Sequence, residues 1–180
     1  KLEARMTNSV TLYNNIAKVY IQKNEPVKAL EYLQKALKSF NNNSTTYFRL
    51  AEYYQLTKNF DKAIENYKIA MKINEESPTL NFFLGLTYHA KGELKTALIY
   101  YTKAIELDPN DARFYSGIGQ ISYRENRLDD AVVAYNKALE INPSLAYPHV
   151  NLGVVYQKQG KNKEALEKIK EGLKIKEEYP

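Results

Sequence analysis

The residue types that most often perform catalysis or hold metals are sparse in this sequence, and their spacing suits neither task. The chain has no cysteine, and its two histidines, His89 and His149, lie far apart with no second histidine at helical spacing. A Gly-Ile-Gly segment at 117–119 lacks the third glycine of a dinucleotide-binding loop. The acidic pairs at 129–130 and 177–178 are typical of solvated helix faces. We therefore predict that the chain is not an enzyme and has no cofactor or metal site.

The overall charge narrows the class of partner. Lys and Arg (26) exceed Asp and Glu (21), which gives a formal net charge of +5 that is spread along the whole chain. Nucleic-acid binding usually needs a clustered basic face, so we expect no nucleic-acid partner. No apolar run is long enough for a membrane span, and no signal peptide is visible. The compartment stays unknown: a cytoplasmic location is favoured over a periplasmic one or a membrane anchor before Lys1.

The elements that must position the remaining side chains follow a strict period. Five alanines recur at intervals of 34 residues, namely Ala29, Ala63, Ala97, Ala131 and Ala165. A period of this length indicates an array of small units, each of which contacts mainly its neighbours. It divides the chain, without insertions, into repeats at 10–43, 44–77, 78–111, 112–145 and 146–179. Residues 1–9 are too few for a repeat, so we expect an N-terminal stub, either a linker or the end of a preceding helix.

Each repeat is predicted to be a helical hairpin. Positions 4, 7, 8 and 11 of a repeat form one stripe of a first helix, and positions 20, 21, 24, 27 and 28 form one stripe of a second. Small residues at positions 8, 20 and 27 allow the two backbones to approach, while Tyr, Leu and Ile at positions 11 and 24 fill the space. Position 15 holds Asn or Gly in four repeats and Lys58 in the second, which favours a left-handed turn. Pro109 and Pro143 are predicted to end the second helices of their repeats.

This pattern resembles the tetratricopeptide repeat (TPR) family. The third repeat carries the family's characteristic residues as Gly85, Tyr88, Ala97, Tyr101, Ala104 and Pro109. The resemblance covers residues 10–179 and implies an all-α fold, a right-handed superhelical solenoid of helix-turn-helix repeats that serves as a protein–protein interaction scaffold. The sequence departs from the family where Ser122 replaces the tyrosine of position 11. The first repeat is the least typical, with Pro26 at position 17 and Asn41 at the place of the final proline.

The resemblance further implies a concave groove lined by positions 2, 5, 6, 9, 12 and 13 of the first helices. Carried over by register, the candidate peptide-binding residues are Asn14, Asn15, Lys18, Phe48, Arg49, Glu52, Phe82, Phe83, Leu86, Arg113, Gln120, Arg124, Asn151 and Lys158. The three phenylalanines and Leu86 are expected to form an apolar centre with basic residues on either side. Such a groove suits a protein or peptide with apolar anchors and acidic groups. The alternative is that Phe82 or Phe83 packs between hairpins and leaves an ordinary groove.

The last helix leaves further functions open. It is rich in Lys and Glu but retains Leu166, Ile169, Leu173 and Ile175. Solenoids normally end in a polar capping helix, so these residues are expected to contact a second copy or sequence beyond Pro180, unless the last hairpin buries them. The chain is then a homo-oligomer or an array that self-assembles end to end. A third hypothesis is a regulatory or recruiting TPR domain of a larger protein or enzyme.

Overall fold

A computed structural model describes the backbone of residues 2–74 and 77–178 and the side chains of residues 8–74 and 77–178. This described part of the chain contains ten α-helices and no strand. In chain order the helices are α1 (Leu2–Gln22), α2 (Pro26–Ser39), α3 (Ser44–Leu56), α4 (Phe60–Ile73), α5 (Pro78–Lys91), α6 (Leu94–Leu107), α7 (Ala112–Arg124), α8 (Leu128–Ile141), α9 (Ala146–Lys158) and α10 (Asn162–Glu178). The prediction of an all-α fold is confirmed.

The helix boundaries recur with the same period as the alanines. The first helices of repeats two to five begin at Ser44, Pro78, Ala112 and Ala146, and the second helices begin at Pro26, Phe60, Leu94, Leu128 and Asn162. Within each series, every start lies 34 residues after the previous one. Helix α1 begins at Leu2, so residues 2–9 continue directly into the first helix of repeat one, while Lys1 lies outside the described residues. Residues 2–9 of the N-terminal stub are therefore helical and form the beginning of α1.

Caps and prolines determine where several helices begin. Asn43, Ser77 and Asp111 each accept a hydrogen bond from a backbone amide in the first turn of α3, α5 and α7. Pro26 and Pro78 are among the first residues of α2 and α5, where a missing N–H leaves no hydrogen bond unmade. Pro26 is thus compatible with the hairpin even though it is unusual for the repeat.

Left-handed residues reverse the chain within every repeat. The residues at position 15 have positive φ angles of 57° in Asn24, 58° in Lys58, 92° in Gly92, 61° in Asn126 and 78° in Gly160. Glycine and asparagine adopt this conformation readily, whereas it costs other residues about 1–2 kcal/mol. Lys58 adopts it all the same, so packing of α3 against α4 outweighs the local preference of this residue.

The helices are grouped in two compact units, an N-terminal unit of residues 1–93 and a C-terminal unit of residues 94–180, each of which is described by itself. The first contains α1–α5 and the second α6–α10. Central buried residues are Ala17, Leu33 and Leu50 in the N-terminal unit and Ala131, Tyr135, Leu152 and Val155 in the C-terminal unit. Both cores combine small residues with larger ones, as the column pattern predicts.

Glycine at position 8 permits the close approach of the two helices in a hairpin. A β-carbon on Gly119 would lie 2.8 Å from a ring carbon of Tyr135, and one on Gly153 would lie 2.6 Å from a side-chain carbon of Ile169. Both distances are shorter than a carbon–carbon contact, so a larger residue would force α7 away from α8, or α9 away from α10. In repeats four and five, position 8 therefore packs against position 24 of the same repeat.

Candidate peptide-binding surfaces

Two phenylalanine rings meet on the N-terminal unit at positions that were predicted to line the groove. Phe48 on α3 and Phe83 on α5 pack edge to face, with ring centroids 5.0 Å apart and an interplanar angle of 89°. Both side chains are half-buried, as is that of Leu86 on α5. We call Phe48, Phe83 and Leu86 the aromatic surface. Edge-to-face pairs gain about 0.5–1.5 kcal/mol beyond the burial of their area, which favours one fixed arrangement of the two rings.

A buried tyrosine supports the aromatic surface. Tyr67 on α4 is fully buried, and its ring stacks on Phe83 at a centroid distance of 6.0 Å and meets Phe48 edge-on at 5.5 Å. The Tyr67 hydroxyl donates a hydrogen bond to the side-chain oxygen of Gln55 at 2.8 Å. Burial, followed by the charge of Glu52, raises the pKa of Tyr67 far above its ordinary value. The hydroxyl therefore remains a donor across the physiological pH range.

The hydrogen bonds continue from α3 to α5 behind the two rings. The side-chain nitrogen of Gln55 donates to the Thr87 hydroxyl at 2.6 Å, and that hydroxyl donates to the backbone carbonyl of Phe83 at 2.7 Å. Helices α3, α4 and α5 are thereby joined, which fixes the aromatic surface before a ligand binds. Sequence reasoning misses this network. Its signal is the pairing of Gln at position 12 with Thr at position 10 of the next repeat.

Phe82 does not belong to the aromatic surface. Its side chain is only 8% exposed, and its ring lies 5.5 Å from that of Phe83 at an angle of 69°. The two adjacent phenylalanines point in directions about 100° apart, and it is Phe82 whose side chain is turned inside. The expected apolar centre is therefore smaller than predicted, because Phe82 is packed inside.

Arg49 lies beside Phe48 with its charge partly neutralised. Its Nη1 atom donates to the Glu52 carboxylate at 2.5 Å, and its guanidinium carbon lies 5.2 Å from the Phe48 ring centroid. The Nε atom of Arg49 is buried and has no acceptor among the described residues. A cavity of about 240 Å³ adjoins this group and is lined by Ser44, Thr45, Phe48, Arg49, Asn74, Ser77, Thr79 and Leu80. Arg49 can therefore receive an additional acceptor.

Asn14 has a structural role and is not available to a ligand. It is 2% exposed, and its side-chain nitrogen donates to the Thr46 hydroxyl at 2.9 Å. That hydroxyl in turn donates to the capping residue Asn43 at 3.2 Å, which links α1 to the start of α3. Asn15 and Lys18 are exposed. Of the three residues that were predicted to face the groove from α1, only these two can contact a partner.

The C-terminal unit presents charge at its predicted groove positions. Arg113 is exposed and holds the capping carboxylate of Asp111 through Nε at 2.9 Å and Nη2 at 2.5 Å. Burial raises the pKa of Asp111, but the hydrogen bonds from Arg113 outweigh it and hold that pKa below its ordinary value. Arg124 and Lys158 are exposed, and the Lys158 ammonium lies 4.9 Å from the ring centroid of Tyr123. Arg113 is therefore already neutralised within its own unit.

Two predicted groove positions of this unit carry amide side chains. Gln120 and Asn151 are half-buried, and the Asn151 side chain forms a hydrogen bond with the hydroxyl of buried Tyr135. Gly117 lies against Tyr101 so closely that a β-carbon there would be 2.7 Å from the ring. The two amide groups favour polar contacts.

His149, one of the two histidines considered for metal binding, is held by contacts within the protein. Nε2 of His149 lies 2.9 Å from the carbonyl oxygen of Pro143, and Nδ1 lies 3.0 Å from the Glu171 carboxylate. Across residues 8–74 and 77–178, His, Asp and Glu side chains form no group of three or more that could hold a metal ion. None of the helices in the described part is both long and apolar enough to cross a membrane.

Repeat models match the sequence along most of its length. A tetratricopeptide repeat model matches residues 10–43, 44–77 and 146–179, and a second TPR repeat model matches residues 85–125 and 119–160. No curated protein matches the chain.

Several solved structures are similar to this one. The crystal structure of MamA is 25% identical, with a TM-score of 0.72 over 91% of this chain and 95% of that chain. YrrB, described as a TPR protein with an unusual peptide-binding site, is 26% identical, with a TM-score of 0.65 over 93% of this chain and 86% of that chain. PilF of Pseudomonas aeruginosa is 17% identical, with a TM-score of 0.84 over 94% of this chain and 78% of that chain, a likeness that shows the fold alone.

Proposed function

Because the chain belongs to the tetratricopeptide repeat family and has the fold of a protein-interaction scaffold, we propose that its N-terminal unit binds a peptide or protein segment on the aromatic surface. The observation that most supports this is that Phe48 and Phe83 remain half-exposed while both contact buried Tyr67. Aromatic side chains that are already held in place lose little conformational freedom on binding, and such residues dominate many interfaces. The partner supplies an apolar side chain as its anchor.

An acidic group in the partner complements Arg49. One N–H of the guanidinium binds Glu52 and the Nε atom is buried, so we infer that a carboxylate entering the neighbouring cavity is bound by Nη2. Residues from the first turns of α3 and α5 line that cavity, and helix N-termini also favour negative charge. The proposed ligand is therefore a segment that has an apolar anchor close to an acidic residue.

The likeness to YrrB supports a peptide as the ligand. That protein is described as having an unusual peptide-binding site, and the similarity extends over most of both chains at 26% identity. The location of the site on this chain rests on its own contacts, because the side chains that make the aromatic surface are particular to repeats two and three.

Substitution of Phe83 tests the proposal. A peptide selected on the full chain from a random display library is titrated against wild type and Phe83→Ala by fluorescence anisotropy. Loss of a central aromatic anchor is expected to weaken binding about thirtyfold. Phe40→Ala is the matched control, since Phe40 is 46% exposed at the end of α2 and lies outside the aromatic surface. Unchanged affinity in Phe83→Ala, or an equal loss in both variants, would contradict the proposal.

A second substitution tests the acidic group. Arg49→Gln should weaken binding of a selected peptide that contains Asp or Glu by about tenfold, and the effect should shrink when that residue is replaced by Asn or Gln. A loss that is the same for acidic and amide peptides would show that Arg49 acts only through packing on Phe48.

Self-association through α10 is a second candidate function. Leu166 and Leu173 are 55% and 51% exposed and lie seven residues apart, so they share one face of the helix. Ile169, between them, is half-buried and packs against Gly153, so the exposed apolar area comes mainly from the two leucines. Sedimentation of wild type should show mass that grows with concentration, and Leu166→Lys with Leu173→Lys should abolish the growth. A constant monomer mass in wild type would exclude this function.

A further inference from the structure

The fourth repeat lacks two aromatic side chains that repeat one packs between its two helices. Position 11 is Tyr20, Tyr54, Tyr88 and Tyr156 in repeats one, two, three and five. Position 23 in the same repeats is Tyr32, Asn66, Tyr100 and Lys168. In repeat four these positions are Ser122 and Ala134. It is the only repeat that has a small residue at both.

Repeat one shows what the missing rings normally do. Tyr20 on α1 and Tyr32 on α2 stack with centroids 5.7 Å apart at an angle of 19°. Tyr13 contacts Tyr32 at 6.3 Å, and the Lys28 ammonium lies 5.3 Å from the Tyr20 ring centroid. The outer space between the two helices of that hairpin is therefore filled with tyrosine rings from the chain itself.

In repeat four the equivalent space is an open cavity of about 450 Å³. Its walls include Tyr115, Ser122, Asp130 and Ala134, which occupy the positions of Tyr13, Tyr20, Lys28 and Tyr32 in repeat one. The remaining walls are mainly apolar and include Leu98, Ile118 and Val133. We call this cavity the repeat-four notch. Its volume lies within the range of about 300–1,000 Å³ that is usual for ligand sites.

The hydroxyl of Ser122 is not open to the notch. Ser122 is only 1% exposed, so a ligand in the notch does not reach its oxygen. Most of the surface that the notch offers to a ligand is therefore apolar.

Charges at the rim are paired with one another. Arg127 binds Asp130 at 2.6 Å and Glu125 at 2.8 Å, and Lys137 binds Glu140 at 3.0 Å. Because the rim cations already have carboxylate partners, the notch favours an uncharged ligand over an ionic one.

We propose that the repeat-four notch binds a tyrosine side chain of a protein partner. The occupant is inferred from repeat one, where the same positions hold tyrosine rings, and from the apolar walls and paired rim charges of the notch. Its first-helix positions 4, 7 and 11 lie on the stripe opposite the groove positions, since each residue advances about 100° around the helix. The notch is therefore independent of the aromatic surface, and either site can fail its test without the other.

Tyrosine analogues test the notch on the full chain. N-acetyltyrosine amide and 4-methylphenol are titrated while the methyl signals of Ile118, Val133 and Ala134 are followed by NMR. We expect saturable shifts of these signals with both probes. Ala134→Tyr restores a ring at position 23 and should abolish the shifts, while Asn66→Tyr, the same change in repeat two, should leave them intact. Thermal unfolding of both variants confirms that they are folded.

Four outcomes would overturn the proposal: no saturable shift in wild type, equal binding by Ala134→Tyr, binding of 4-methylphenol without N-acetyltyrosine amide, or a wild-type dimer that Ala134→Tyr dissociates. The third indicates a site for free phenols, and the fourth indicates that a second copy occupies the notch.

Discussion

Two buried tyrosines show how the two units differ. In the N-terminal unit Tyr67 stacks on the ring of Phe83, whereas in the C-terminal unit Tyr101 lies against the backbone of Gly117. Phe83 and Gly117 occupy position 6 in successive repeats, and Tyr67 and Tyr101 occupy position 24. Position 24 is therefore tyrosine in both comparisons. The residue at position 6 of the next repeat, which contacts that tyrosine, decides whether the surface there is aromatic. Recurring positions specify the fold, and variable positions beside them specify what can bind.

The largest loss of stability is expected when a phenylalanine is placed at position 6 of repeat four, in the C-terminal unit. Gly117→Phe cannot copy Phe83, because even a β-carbon at Gly117 would lie 2.7 Å from the Tyr101 ring. We expect the free energy of unfolding in urea to fall by about 3 kcal/mol. Gln120→Phe, at a half-buried position of the same helix, should change it by less than about 1 kcal/mol. A Gly117→Phe variant as stable as wild type would mean that α6 and α7 are not closely packed.

A smaller effect is expected when only the hydroxyl that holds the supporting tyrosine is removed. Tyr67→Phe keeps the ring beneath Phe83 but leaves the side-chain oxygen of Gln55 without its donor. The free energy of unfolding should fall by about 1 kcal/mol, as measured by urea denaturation. Tyr147→Phe, on a side chain that is 59% exposed, serves as the control and should have almost no effect. Equal stability of both variants would show that the hydrogen-bond network does not support the aromatic surface.

The turns provide a third comparison between the units. Here the substitution is expected to raise the free energy of unfolding, whereas the previous two lower it. Lys58 in the N-terminal unit has a φ of 58°, whereas the C-terminal unit uses Asn126 and Gly160 at this position. Lys58→Gly should stabilise the protein by about 0.5–1 kcal/mol, because glycine adopts a positive φ without steric strain. Lys62→Gly, inside α4, should destabilise it by about 1 kcal/mol. Destabilisation by Lys58→Gly would show that the lysine side chain contributes more than its backbone strain removes.

The smallest loss of stability is expected when the ion pair between Asp111 and Arg113 in the C-terminal unit is removed. Asp111→Asn keeps a side chain that can cap α7 but removes the ion pair with Arg113, so the stability loss at pH 7 should be below about 0.5 kcal/mol. Because the pKa of Asp111 is lowered in the folded protein, its contribution is present above the ordinary aspartate pKa and is lost as the pH falls through the lowered value. The difference between wild type and variant, measured by denaturation from pH 7 to pH 2, should therefore shrink as the pH falls below the ordinary aspartate pKa. A difference that is unchanged at pH 2 would contradict this reading.

The helices and turns were predictable because their signals are local. The columns of small and aromatic residues fix the hairpins, and Asn or Gly at position 15 predicts the left-handed turns, which the φ angles of Asn24 and Gly92 confirm. Pro109 and Pro143 indicate where α6 and α8 end, and both helices stop two residues before the proline. Each of these features depends on one helix or one turn.

The candidate surface was less predictable because it depends on contacts between helices. Phe82 and Phe83 are identical in type and adjacent in sequence, and only their rotation about α5 decides that one is buried. Asn14 was predicted to face the groove, but its hydrogen bond to Thr46 in the next repeat holds it inside. The repeat-four notch likewise depends on residues from different helices, and Ser122 alone does not reveal it.

Amide NMR of the full chain would locate the ligand most directly. On titration with the display-selected peptide, the largest shifts should lie on α3 and α5 around Phe48, Phe83 and Leu86, with the C-terminal unit unchanged. These shifts should disappear in Phe83→Ala and persist in Phe40→Ala. Shifts concentrated instead at Gln120, Arg124 and Lys158 would contradict the claim that the aromatic surface of the N-terminal unit is the binding site.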